Sequence, residues 1–235
     1  MSVRLEWPSS CIISGPSWAG KTELLFKLIT NIRDLYVLQP EQLVYYYGGP
    51  WHSAFTPYKN RVKFISGTPV ISDYEDSKPT LMILDDLLSQ CSEKSANQVI
   101  TDIFTRDSHH LNISVLLVTQ NFFAPCLRTI SLNAQYIVLF RNIRDTNQIG
   151  VLARHIYGAK KSQVFMEAYD DATSKPYGYL FVDLHPKSNN LLRLRDQILP
   201  NELCCVYLSK QQVQSLYKAQ DGYDGVFFEN EQLGE

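Results

Sequence analysis

The feature that most restricts the fold is a short apolar run, Cys11–Ser14, followed at once by Gly15-Pro16-Ser17-Trp18-Ala19-Gly20-Lys21-Thr22 and then by the helix-forming stretch KTELLFKLI. The eight residues satisfy the pattern GxxxxGK[ST], here between a strand and a helix. Its glycines let the backbone curl so that successive N–H groups face one point, and the helix start adds its positive dipole end there. Such a loop binds phosphate. Lys21 supplies a mobile charge for the β- and γ-phosphates of a nucleotide, and the Thr22 hydroxyl suits Mg²⁺. Trp18 is bulky for this position; it either covers the nucleotide or packs on the protein.

Further apolar runs recur at Tyr36–Leu38, Val62–Ile65, Leu81–Leu84, Ile113–Thr119 and Tyr136–Phe140. Most are continuous rather than alternating, as expected for strands covered on both faces. Helical patterns fall at Lys21–Asn31, Lys94–Thr105 and Thr146–Tyr157. Strand then helix, repeated, predicts an α/β domain with a mostly parallel central sheet covered by helices on both faces. The stretch Gln39–Asn60, with its Tyr45-Tyr46-Tyr47-Gly48-Gly49-Pro50-Trp51 cluster, has no clean period and reads as a loop or irregular insertion. Tyr177–Leu184 and Leu191–Arg195 read as two strands joined by the polar turn His185–Asn190, extending the sheet as a hairpin. After Pro200 the signal weakens to a short strand at Leu203–Leu208 and a helix at Lys210–Lys218. Residues 1–200 are thus expected to form the phosphate-binding domain. Residues 201–235 form an extension with a short helix and an acidic tail, expected to be mobile from Asp221.

A second motif follows. Leu81-Met82-Ile83-Leu84-Asp85-Asp86 is an apolar strand ending in two carboxylates. In phosphate-loop enzymes the first such acid holds the Mg²⁺ shell, which assigns Asp85, and a second acid directly after it polarises the attacking water, which assigns Asp86. The next strand ends in Thr119-Gln120-Asn121, and a polar residue at that end faces the crevice where open α/β sheets bind ligands. Gln120 is therefore placed to contact the γ-phosphate or the water. An arginine inserted from a neighbouring subunit can be worth ~10³–10⁵ in rate. Arg106 is the first choice for that role, with Arg141 and Arg144 as competitors.

The ordered set GPSWAGKT, LMILDDLL, FTRDSHHLNISVLLVTQNFF, SLNAQYIVLFRNIRDTNQIGVLARHIY and YGYLFVDLHP resembles the viral genome-packaging ATPases of the FtsK–HerA superfamily, of poxviruses and Polinton or adintovirus elements. The resemblance runs from about Cys11 to Pro200. It implies the ASCE, RecA-like form of the P-loop NTPase fold and a homo-oligomeric ring, pentameric or hexameric, that drives double-stranded DNA into a capsid. The implied partners are DNA, other copies of the chain, and a capsid portal or vertex protein. The implied ligands are ATP and Mg²⁺, with Gly15 to Thr22 as the phosphate loop, Thr22 and Asp85 at the metal, Asp86 and Gln120 at the water, and Arg106 acting in trans. Many superfamily members carry Glu as the second acid. Asp86 is one methylene shorter, so the water must sit closer or another residue must help. Rival functions are a helicase or DNA-segregation pump of the same superfamily, and a nucleotide-gated assembly protein.

The bulk properties agree with this. A net charge of −2 over 235 residues excludes a whole-chain basic field, so DNA contact needs a local patch or a ring pore. Arg154, Lys160 and Lys161, with Arg141 and Arg144, offer either such a patch or a solvated face. No run approaches the ~18 apolar residues of a membrane span. Five cysteines form neither an even-numbered framework nor a metal pair, which suits reduced thiols inside a cell, and the resemblance implies host cytoplasm or nucleus, or a virion. His109 and His110 lack partners at zinc-ligand spacing and are expected at a helix end or loop.

Overall fold

The computed structural model describes residues 4–74, 78–87, 94–200 and 202–221. The tail expected to be mobile lies, from residue 222 onward, outside the described residues, as does Cys91. Eight strands form one sheet in the order β3-β2-β4-β5-β1-β6-β7-β8. They are β1 (Ser10–Ser14), β2 (Gln42–Tyr47), β3 (Lys63–Ser66), β4 (Thr80–Asp85), β5 (Ile113–Thr119), β6 (Tyr136–Phe140), β7 (Tyr179–Asp183) and β8 (Leu194–Arg195). The first six in that spatial order are parallel; β7 and β8 are antiparallel additions at one edge.

Side chains alternate across the sheet, and both faces are buried. Cys11, Ile13, Leu81, Ile83, Leu116 and Val118 point to the face covered by α1 (Lys21–Thr30) and α2 (Ile32–Leu35). Ile12, Met82, Leu84, Val115 and Leu117 point to the other face. That face is covered by α3 (Lys94–Asp102), α5 (Arg128–Asn133), α6 (Thr146–Tyr157) and α7 (Ser162–Ala172). Two-sided burial is why the strand sequences are unbroken apolar runs. The α3 helix continues through a π-helical turn at Ile103–Asp107 into α4 (Ser108–His110). His109 and His110 end that helix, as expected, and are exposed.

Three expectations are corrected. The segment read as a loop contains β2, a parallel strand between β3 and β4. Its tyrosines look aperiodic because Tyr45 and Tyr46 are buried on opposite faces. Tyr36–Leu38 is not a strand: Tyr36 makes one bridge to Leu5, while Val37 and Leu38 are exposed. Leu203–Leu208 supplies only a bridge, Val206 to Arg195. Helix α7 carried no expectation. The hairpin β7–β8 forms at the expected place, pinned by an ion pair of 3.3 Å between Arg195 and Asp183, both buried. The last described element, α8 (Lys210–Asp221), begins where its helix was expected. Cys11, Cys126, Cys204 and Cys205 are free thiols.

Candidate functional site

Parallel strands put all their carboxyl ends on one edge of the sheet, and the phosphate loop, the acid pair and Gln120 converge there. The loop Gly15 to Gly20 leaves β1 on that edge and enters α1. Trp18 and Gly20 both take left-handed backbone, at φ 67° and 104°, and left-handed residues in such a loop turn neighbouring N–H groups into one anion-binding concavity. Gly15 admits no side chain, because a Cβ there would lie 2.6 Å from Cβ of Phe140. The Lys21 ammonium donates to the carbonyl oxygens of Gly15 and Pro16, each at 2.7 Å, which curls the side chain back over the loop. Burial pulls its pKa below the ordinary lysine value, while the charges of Asp85 and Asp86 act to raise it.

The acids stand at the end of β4. That strand is separated from β1 by β5, so an additional strand lies between the phosphate loop and the acid pair. Gln120 directly follows the inserted strand, and the Ser17 hydroxyl donates to its Oε1 at 3.2 Å, tying it to the phosphate loop. Asp85 is half-buried and faces the α1 side of the sheet, as period two requires of a residue two beyond Ile83. Burial raises its carboxyl pKa; the Tyr45 hydrogen bond opposes the rise, Asp86 adds to it and Lys21 lowers it. Asp86 is exposed and left-handed, φ 54°, so the chain turns sharply right after the strand.

Lys21, Thr22, Asp85 and Asp86 line one cleft of about 640 Å³ with Trp18 and Tyr177. This donor set fits a magnesium nucleotide: a hydroxyl and a carboxylate suit a hard cation, and an ammonium and a backbone concavity suit phosphate. Trp18 packs against nothing, being 97% exposed, so of its two placements the packed one is excluded within a single chain. Arg106 is not brought to this cleft. It sits in the π-helical turn that leads through α4 into the amino end of β5, and its guanidinium donates to Asp107 at 2.8 Å. Arg141 and Arg144 leave the carboxyl end of β6, on the same edge as the phosphate loop, and both are exposed. Arg154, Lys160 and Lys161 are exposed as well.

Two contributors escaped the sequence reading. Tyr45 of β2 donates its hydroxyl to Oδ2 of Asp85 at 2.6 Å. Gly48 lies against the acid turn, its N–H donating to the Asp85 carbonyl at 3.0 Å. Tyr45 belongs to β2, and Gly48 is the residue that follows it. The available signal was Val44-Tyr45-Tyr46-Tyr47, four strand-formers closed by Gly48-Gly49-Pro50.

This strand order, with a phosphate loop after β1 and an acid pair across an inserted strand, defines a P-loop NTPase fold of the RecA-like kind. Solved structures agree. The chain is similar to B204, the DNA-packaging ATPase from Sulfolobus Turreted Icosahedral Virus, with TM-score 0.53 and 12% identity over 86% of this chain and 97% of that one. It is also similar to the cytoplasmic domain of the Thermomonospora curvata Type VII secretion ATPase EccC, with TM-score 0.50 and 14% identity. That match takes in 85% of this chain but only 25% of that cytoplasmic-domain chain. At such identities the likeness speaks for the fold alone. No family model and no curated protein matches the sequence.

Proposed function

We propose that this chain is an ATPase that translocates double-stranded DNA and packages a viral or virus-like genome into a capsid, working as a homo-oligomeric ring. The observation that carries the ATPase reading is the cleft itself, where Lys21, Thr22, Asp85 and Asp86 meet and Gln120 is tied to the phosphate loop. Two features support the packaging reading. One is the set of sequence blocks around LNISVLLVTQN and LFRNIRD. The other is that B204, whose fold is shared over 86% of this chain and 97% of that one, is a DNA-packaging ATPase.

In the proposed mechanism the loop amides and Lys21 would hold the β- and γ-phosphates, and Thr22 and Asp85 would hold Mg²⁺. The metal would neutralise charge building on the phosphate oxygens. Asp86, exposed and lining the cleft, orients water for in-line attack on the γ-phosphorus and takes its proton, as the bond to the bridging oxygen breaks and ADP leaves. Gln120 contacts the γ-phosphate or that water. Arg106, remote from its own cleft, serves the cleft of a neighbouring copy, where its charge stabilises the transition state and couples hydrolysis to ring motion.

Steady-state ATP hydrolysis with and without linear duplex DNA tests this, on the wild type, Lys21→Ala and Asp86→Asn. Duplex-stimulated turnover lost in both variants is the expected result. Normal turnover in either pure variant refutes the site assignments. Strand displacement on a forked duplex would replace packaging with a helicase role, and tight ATP binding without turnover would replace it with a nucleotide-gated assembly role.

A further inference from the structure

Tyr45 is fully buried in the middle of β2, among Phe55 and Phe64 with ring centroids 5.0 and 5.2 Å away. Phenylalanine would serve that packing equally well. A hydroxyl placed there loses its water and must recover a hydrogen bond inside the protein. It does so on Oδ2 of Asp85, at 2.6 Å, from the adjacent strand. Its neighbour Tyr46 makes the contrast: that hydroxyl, on the opposite face, meets Tyr74 at 2.8 Å and stays within the core. Of the two, only Tyr45 sends its polar atom to the acid assigned to the metal.

The geometry points to Tyr45 as the positioning residue of the metal site. A carboxylate at the end of a strand turns about its last bond. A charge-assisted hydrogen bond to one oxygen stops that rotation and leaves the other oxygen for a cation. The restraint comes from a rigid strand buried between two others, so it is in place before any nucleotide arrives and lowers the ordering cost of metal binding. Lys21 and Thr22 line the same cleft from the phosphate loop, whereas this restraint comes from β2. The inference rests on the nucleotide-site reading above and adds to it a residue from a strand that carries no phosphate-binding motif.

The test is the thermodynamic coupling between Mg²⁺ and nucleotide, measured on the full chain with a fluorescent ATP analogue titrated in excess Mg²⁺ and in EDTA. In Tyr45→Phe the aromatic ring stays and one oxygen goes. Affinity in EDTA should match the wild type within about twofold, which also reports an intact fold, while the gain from Mg²⁺ should shrink about tenfold, the worth of one hydrogen bond to a charged group. In an Asp85→Asn background the same substitution should change nothing further, since the partner is already altered. An undiminished Mg²⁺ gain in Tyr45→Phe overturns the inference. So does an equal loss in the Asp85→Asn background, which would place the effect elsewhere. A wild type that binds no nucleotide would instead overturn the phosphate-site reading, and this inference with it.

Discussion

Replacing Gly48 with alanine would place a methyl group 2.3 Å from the carbonyl oxygen of Asp86 and 3.0 Å from its carbonyl carbon. A relaxed contact of this kind is about 3.3 Å or more, so something must move by about 1 Å. Both sides of the clash are backbone. Gly48 is held by its hydrogen bond to the Asp85 carbonyl, and Asp86 occupies a left-handed turn, so neither yields as a flexible side chain would. Overpacking of this sort costs about 1–3 kcal/mol. For a domain of this size each kcal/mol lowers the melting temperature by about 2–4 °C, which gives a loss on the order of 5 °C. Moving Asp86 by about 1 Å should also reduce ATP turnover, by up to ~100-fold. The adjacent Gly49 is the control, because a Cβ there meets nothing within 4 Å, and Gly49→Ala should leave both quantities near wild type. Circular-dichroism melting and steady-state turnover on the two variants decide the matter. If Gly48→Ala melts within about 1 °C of the wild type, the steric argument fails, and if it also keeps full turnover the role of the β2 end fails with it.

Arg195→Leu should destabilise the chain by about 3–5 kcal/mol, read as a lowered urea midpoint, because it strands the buried carboxylate of Asp183 at 3% exposure. Adding Asp183→Asn should restore part of the loss; if it restores none, the ion pair is not the cause. His185 gives a pH dependence. It is buried, stacks on Tyr136 and accepts the Lys187 N–H on Nδ1, and burial holds its pKa below the unfolded value of about 6.5. The unfolded chain therefore binds the extra proton first. Its contribution is full above pH 6.5 and is lost as pH falls through the lower folded value. Unfolding free energy measured from pH 7 down to 5 should fall less steeply in His185→Gln than in the wild type, and equal slopes would refute the assignment.

The phosphate loop was legible because its chemistry demands a fixed spacing of glycines, lysine and threonine between a strand and a helix, all within twelve consecutive residues, Cys11 to Thr22. The acid pair and Gln120 were legible because each closes an apolar run, and in a parallel sheet the end of a run is the edge where ligands bind. From order along the chain alone, nothing said that β5 would insert between β1 and β4, nor that Ser17 and Gln120 would touch across 103 residues. Strand β2 was illegible for a physical reason: its run is built largely of tyrosines, which look polar until their hydroxyls are seen to have partners. What the sequence by itself determined was the set of groups needed to bind and attack a phosphate, because those groups are local and their types are constrained by chemistry. Only the tertiary structure decided how the acids are held, because Tyr45 and Gly48 act through contacts made 40 and 38 residues along the chain, from β2 and the residue that follows it.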